Sequence, residues 1–207
     1  SPRGAAKAEV VRKSAAVKSV SVRLRPRAPS SALPVSLRAL PLHPDSGLHA
    51  YVIGLAIGDG NLSNPNGRAV PLRITCDSRY PVLIAKIRSA LERLLPRNKV
   101  GVVACRKKCV NVSVYSNQLE AHLEWKALGG SKQRQNVLVP EWICADRALS
   151  IHCLRGLIET DGCVYLDRGY QMVSFSTVIP RLAQQVDEMV RSLGFRPRLY
   201  RIRQCPG

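Results

Sequence analysis

The sequence predicts an α+β protein built from two copies of one unit, in which a helix is followed by antiparallel strands and a second helix. Three observations carry this expectation. A mostly apolar stretch, 48-LHAYVIGLAIGDG-60, ends in an Asp-Gly pair, and a second stretch, 147-RALSIHCLRGLIETDG-162, ends in the same pair 102 residues later. Each is followed by a helix that opens on proline, Pro81 and then Pro180, 99 residues apart, so only the loop after the Asp-Gly pair has shortened. Between the copies, 109-CVNVSVYS-116 sets Val110, Val112 and Val114 against Asn111, Ser113 and Tyr115, the alternation of a sheet with one buried and one polar face.

In chain order, residues 1–44 stand apart. They are rich in Ala, Arg, Ser and Pro, and their nine basic residues against Glu9 hold +8 of the formal charge of +18. Residues 5–20 read as a weak basic helix and 26–44 as an extended linker, so the whole reads as a flexible arm. Such an arm either binds DNA loosely or has no part in the fold. The first unit spans 45–130. Its helix breaks at Gly60, and a strand lies within 68–76, clearest at 72-LRITC-76. Helix 81–95, strands 100–105 and 109–116 around a basic turn, and a helix from Leu119 to Leu128 complete it. After Gly129-Gly130, a connector over 131–146 leads into the second unit, 147–207, with strand 172–177, helix 180–194 and strand 196–203. That unit lacks a counterpart of strand 109–116 and of the closing helix, so it reads as C-terminally short.

Lysine and arginine total 32 against 14 acidic residues. Such an excess disfavours compaction unless a polyanion shares the surface, and nucleic acid is the commonest such partner. No apolar run approaches the length of a membrane span, and no secretory signal or lipidation motif is evident. Seven cysteines without a Cys-x-x-Cys read as reduced thiols of an intracellular, unsecreted protein. Cys105 and Cys109 flank a turn, and only His122 lies nearby, which makes a poor zinc site. Trp125 and Trp142 read as packing residues, and His122 and His152 have no ligand spacing.

An aspartate in the last turn of a helix sits at the unfavourable end of the dipole, at a cost of roughly 0.3–1 kcal/mol. Here the arrangement occurs twice, at Asp59 and Asp161. Each is preceded by small residues four apart, Gly54 and Gly58 in one helix, Gly156 and Thr160 in the other, which lets two helices approach closely. Packed in parallel, the helices bring both carboxylates to one end. Paired carboxylates repel unless neutralised, and a divalent cation neutralises them directly. Oxygen donors completed by phosphate suit Mg2+, with Mn2+ as a substitute.

The strings 52-VIGLAIGDG-60 and 154-LRGLIETDG-162 resemble the two copies of the motif that names the LAGLIDADG homing endonucleases. The resemblance runs over about 48–203, with VPEWI before the second copy and FST after it. The wording of 154–194 is especially like that of the endonuclease domains carried inside inteins. It implies an αββαββα-type half-domain used twice, with motif helices at the centre of a pseudo-two-fold monomer and two antiparallel sheets forming a saddle over the major groove of a long DNA target. It also implies that Asp59 and Asp161 bind the metal and that both strands are cut across the minor groove, leaving short 3′ overhangs. Glu159 matches the motif's earlier acidic position, and Ile57 stands there in the first copy, so the central role falls to the two aspartates. The family's basic residue near the metal is assigned first to Lys132, with Arg73, Lys108 and Arg201 as alternatives. DNA reading falls to Arg73, Thr75, Asn111, Ser113, Tyr115, Ser174, Ser176 and Arg201, with Arg106, Lys107 and Lys108 meeting phosphates from a turn.

The expected function is metal-dependent, site-specific double-strand cleavage of DNA. The rivals are a DNA-binding regulator or an intron-RNA splicing assistant on the same fold, or an inactive remnant. Self-splicing is not expected: Ser1 has no recognisable splicing block behind it, and Cys205 follows Arg203-Gln204 rather than His-Asn.

Overall fold

A computed structural model of the chain describes residues 45–64, 67, 69–105 and 108–201 in full, and the backbone of 18–23. The first copy opens with α1 (Ser46–Gly58), capped by Asp45, whose side chain accepts from the Leu48 N–H at 2.9 Å. It runs straight into β2 (Gly60–Leu62), then β3 (Pro71–Asp77), α2 (Pro81–Leu94), β4 (Val100–Ala104) and β5 (Cys109–Tyr115). Two short helices follow, α3 (Leu119–Leu123) and α4 (Glu141–Cys144). The second copy begins at α5 (Arg147–Asp161), where Asp146 accepts from the N–H groups of Ala148 and Leu149 at 2.7 and 3.0 Å. It continues through β6 (Gly162–Asp167), β7 (Tyr170–Thr177), α6 (Pro180–Ser192) and β8 (Arg196–Arg201).

The strands form two four-stranded antiparallel sheets. One has the order β2-β3-β5-β4. The other has the order β6-β7-β1-β8, where β1 is Lys18–Arg23. The expected helix over 5–20 is therefore strand from Lys18 onward. The reason is visible in Ser19-Val20-Ser21-Val22, whose period of two with β-branched residues favours an extended chain over a helix. Residues 1–17 and 26–44 lie outside the described residues. Strand β8 is the last described element of the second copy, and its sheet has four strands, with β1 in the place that β5 holds in the first sheet.

The helix expected from Leu119 to Leu128 stops at Leu123, because Glu124 turns left-handed with φ of 63°. Strands β2 and β6 were not anticipated, since three and six residues directly after a motif carry no alternation to read. One buried cluster joins the two copies: Ile53, Leu55, Leu72, Ile74, Ile87, Leu91 and Val112 of the first with Leu157, Phe175, Leu182 and Val186 of the second. No helix among the described residues is long and apolar enough to cross a membrane.

Candidate active site

The motif helices α1 and α5 meet backbone to backbone. A Cβ at Gly54 would fall 2.1 Å from the Cys153 carbonyl oxygen, and one at Gly156 would fall 2.4 Å from that of Tyr51. Only a residue without a side chain fits at such separations. Gly58 lies against Thr160, whose hydroxyl is turned back onto its own helix and donates to the Gly156 and Leu157 carbonyls (2.9 and 3.1 Å). The contacts rise together in sequence, Tyr51 on Gly156, Gly54 on Leu157 and Gly58 on Thr160, so the helices run in the same direction. Both C-termini therefore reach the same end of the interface, as the small-residue spacing predicts.

Asp59 caps α1 and Asp161 closes α5. Gly60 and Gly162 then turn each chain into a strand so tightly that a Cβ would meet the carbonyl of Ala56 or Ile158 at 2.4 or 2.5 Å. The two carboxylates perturb each other. Asp161 is pushed up to about 6, first by loss of water and then by the charge of Asp59, with Lys132 opposing both. Asp59 is also raised by loss of water, and Lys132 again pulls it down.

Lys132 is thus brought to both aspartates. Its ammonium donates to the carbonyls of Ile57 (2.6 Å), Ala56 (3.3 Å) and Gly58, the last carbonyls of α1, where a cation complements the helix dipole. Burial lowers its pKa, and the charges of Asp161 and Asp59 act to restore it. The loop that presents it is held by Gln135, whose amide bonds the Lys126 N–H and the carbonyls of Lys126 and Gly130.

Glu159 is tied up elsewhere. It accepts from the Tyr51 hydroxyl at 2.5 Å and from Arg155 at 3.0 Å, with Lys86 at 3.6 Å. Burial alone would raise its pKa, but these donors and charges together hold it below the usual range. Among the described residues no three His, Cys, Asp or Glu side chains converge. Cys76 remains a thiol, because burial and Asp59 push it up to about 11. The available donor set is therefore two carboxylates that repel each other, and this fits a hard, oxygen-seeking divalent cation that completes its shell with water and phosphate oxygens.

Away from this centre, the first sheet presents a polar face. Arg73 and Thr75 are exposed between buried Leu72, Ile74 and Cys76, and Asn111 and Ser113 pair with them across β5. Thr75 donates to the Asn111 side chain at 2.8 Å, and Tyr115 lies on the same face, 54% exposed. Lys108 sits exposed in the turn with φ of 54°, while Arg106 and Lys107 lie outside the described residues. In the second sheet, Ser174 and Ser176 stand opposite Ser21 and Ser19. Arg201 does not join them, since its register partner Lys18 pairs with Thr177, on the side that holds Phe175. Sequence reasoning passed over Asn61, which stands opposite Arg73, and Arg196, Arg198 and Tyr200, all exposed. The alternation Arg196-Pro197-Arg198-Leu199-Tyr200 was there to be read.

Residues 149–206 match the LAGLIDADG-like domain. That stretch holds the second motif helix and the strands and helix that follow it. Over 154 residues it is 28% identical to the ATP-dependent DNA helicase Hel308 of Thermococcus kodakarensis, a match covering 73% of this chain and 13% of that protein. The LAGLIDADG fold is also shared with solved structures. The homing endonuclease I-DmoI in complex with DNA and Ca superposes with a TM-score of 0.53 at 20% identity, covering 77% of this chain and 84% of that one. Mesophilic variants of I-DmoI give 0.52 at 18% identity, with the same coverage. I-DmoI with DNA and Mn gives 0.51 at 19%, covering 75% and 89%. At these identities the likeness establishes the architecture: two sheets and paired motif helices.

Proposed function

We propose that this protein is a LAGLIDADG-type site-specific DNA endonuclease that makes double-strand cuts by divalent-metal-dependent phosphodiester hydrolysis. The observation that carries the reading is the pair Asp59 and Asp161, set at the shared end of two helices in backbone contact and charge-coupled to each other and to Lys132. Two raised carboxylates at one helix end are a cost to the fold unless a cation relieves it, and the duplicated helices keep both.

Asp59 and Asp161 would hold Mg2+, with Mn2+ as a substitute; the metal, when bound, would polarise water and stabilise charge on the scissile phosphates. Lys132, anchored on three carbonyls, fixes the end of α1 and adds a positive charge beside both carboxylates. Arg73, Thr75, Asn111 and Ser113 lie where base edges and phosphates of a duplex would be read, and Lys108 where a phosphate would be met. The solved relatives were captured with DNA and with Ca or Mn, which supports the choice of duplex DNA and a divalent ion.

The test is cleavage of a supercoiled-plasmid library carrying randomised targets, with Mg2+ or with EDTA, by the wild-type chain and by Asp59→Asn and Asp161→Asn. The expected result is double-strand cutting at one selected sequence, dependent on Mg2+ and lost in both variants. Selective binding to DNA or to intron RNA without cutting would instead establish a binding protein on this fold.

A further inference from the structure

Strands β4 and β5 pair antiparallel in a register that sets Gly101 opposite Ser113, Val103 opposite Asn111 and Ala104 opposite Val110. One step further, Cys105 stands opposite Cys109, and the ladder continues there: the Cys105 N–H donates to the Cys109 carbonyl at 2.7 Å. Lys108, left-handed with φ of 54°, leads the chain back into β5 directly behind this pair. Residues directly opposite in an antiparallel pair lie about 4.5–5.5 Å apart at Cα with their side chains on one face, and a disulfide spans roughly 4.4–6.8 Å. Both cysteines are free and half-buried. The other two described cysteines in strands face residues of other types, Cys76 opposite Val110 and Cys163 opposite Ser174.

The pair lies on the open side of the hairpin. Cys109 alternates with Asn111 and Ser113 on the polar face of β5, and Cys105 follows by two Val103, which is 60% exposed. Small solutes reach the sulfurs from that side. The Cys105 sulfur is 3.9 Å from the Val103 carbonyl oxygen, a long contact for so weak a donor. Its thiol is pushed up from the ordinary value, first by its hydrogen bond with Cys109, then by burial and the charge of Cys109, while the Asn111 N–H and Arg73 pull it down. Cys105 thus keeps its proton, and the first attack on an oxidant falls to Cys109.

We propose that Cys105 and Cys109 form a redox-modification site, a dithiol that a peroxide converts to an intrachain disulfide and that a low-molecular-weight thiol restores. The Cys109 thiolate attacks one peroxide oxygen; the O–O bond breaks, the other oxygen leaves as water, and Cys109 becomes a sulfenic acid. The Cys105 sulfur then attacks the Cys109 sulfur, the S–O bond breaks, and a second water leaves with the remaining thiol proton. Two electrons pass from the thiols to the peroxide, so two thiols and one hydrogen peroxide give one disulfide and two waters. Reduction runs by exchange, through a mixed disulfide, with two molecules of the small thiol. The bond closes a ring that contains three consecutive cations, Arg106-Lys107-Lys108. Oxidation leaves their charge unchanged and restricts the backbone that carries them. The chemistry needs neither motif aspartate and does not depend on the nuclease reading.

The test treats the full, folded chain with hydrogen peroxide, blocks the remaining thiols with iodoacetamide, and digests with trypsin without reductant. Cleavage after Arg106 and Lys108 leaves the two cysteines in peptides 100–106 and 109–126, which stay joined only through the disulfide. The expected product is that joined pair, lighter by two hydrogens than the separate peptides and formed before any other cysteine is oxidised. Reduced glutathione should release it, Cys105→Ser and Cys109→Ser should abolish it, and Cys163→Ser should leave it unchanged. In a glutathione buffer, the equilibrium constant for closing the bond should be at least about tenfold larger in the folded chain than in urea, because the register holds the sulfurs together. Full alkylation of both cysteines after peroxide, linkage of either to a different cysteine, or equal constants folded and in urea would overturn the proposal.

Discussion

The two halves share a register yet differ in how far their cores are closed. Leu62 and Leu72, paired across β2 and β3, are 9% and 0% exposed. At the same register in the second half stand Val164 and Val173, and Val164 is 64% exposed, with Leu166 beyond it at 74%. The difference traces to the segment after β5. Its first residues tie back to the sheet through the Ser116 N–H on the Val70 carbonyl, and Leu119, Leu123 and Trp125 join the buried cluster that contains Leu62, Val70 and Leu72. Val164, Leu166 and Leu199 take no part in that cluster. In the first half, the strands, the helix that packs on them and this segment together close the far end of the sheet.

The largest expected effect breaks this comparison if it fails. Leu72→Ala should cost about 2–5 kcal/mol in urea unfolding, the usual penalty for emptying a closed core, whereas Val164→Ser should fall within about 0.5 kcal/mol of wild type. Equal penalties would mean that the second half closes over Val164 in solution. Next in size is the shared axis. Gly156→Ala pushes a methyl to 2.4 Å from the Tyr51 carbonyl and 2.7 Å from the Leu55 nitrogen, and Gly54→Ala meets the Cys153 carbonyl at 2.1 Å. Backbone cannot yield as a side chain can, so each should cost at least about 1–3 kcal/mol. Because both glycines lie on the interface the halves share, the two penalties should be similar, and urea midpoints of the two variants check this.

How much of this was legible in the sequence follows from the same contrast. The motif helices and their aspartates were legible, because a duplicated Asp-Gly after small residues four apart is a pattern confined to a few residues, and Asp59, Asp161 and Lys132 do come together. The alternation of Arg73, Thr75, Asn111 and Ser113 was legible for the same reason. Strand β1 was missed although Val20-Ser21-Val22 repeats Val112-Ser113-Val114. The surrounding alanine, arginine and proline dominate the composition there, and a strand whose partners, β7 and β8, lie about 150 and about 180 residues onward gives no local sign of them. The role of Glu159 was also beyond sequence, since its partners Tyr51 and Lys86 come from two other helices.

The aspartate pair sharpens the comparison at the ends of the helices. Asp161 titrates near 6 in the folded chain, against a value near 3.8 without the fold. The folded state therefore holds its proton more tightly between those values, and stability falls as pH rises through about 4 to 6. Groups whose folded values are lowered, such as Glu159, act in the opposite sense, but at lower pH. With EDTA present, the melting temperature should thus be lower at pH 7 than at pH 5. Asp161→Asn should flatten the trend, and Mg2+ should offset it. A melting temperature that rises over this interval by the same amount in wild type and in Asp161→Asn would show that the carboxylates do not strain each other.

The smallest effect concerns the one motif position where the copies differ in kind. Glu159 is held by Tyr51, Arg155 and Lys86, while Ile57, its counterpart, is buried at 3% with no polar group to satisfy. The Tyr51 hydroxyl has burial and the Glu159 charge both holding its proton on, so it remains a donor across the whole working pH range. Tyr51→Phe keeps the packing and removes only that bond, which should cost about 1 kcal/mol, seen as a lower urea midpoint with an unchanged slope. The carboxylate keeps Arg155 and Lys86, which is why the penalty stays well below that of an orphaned buried charge. Coupling should appear in the double variant: with Glu159→Gln already in place, Tyr51→Phe should cost less than in wild type, because a neutral acceptor makes the weaker bond. Simple additivity would instead place the value of Tyr51 in its ring, and would make this asymmetry between the two motifs one of packing alone.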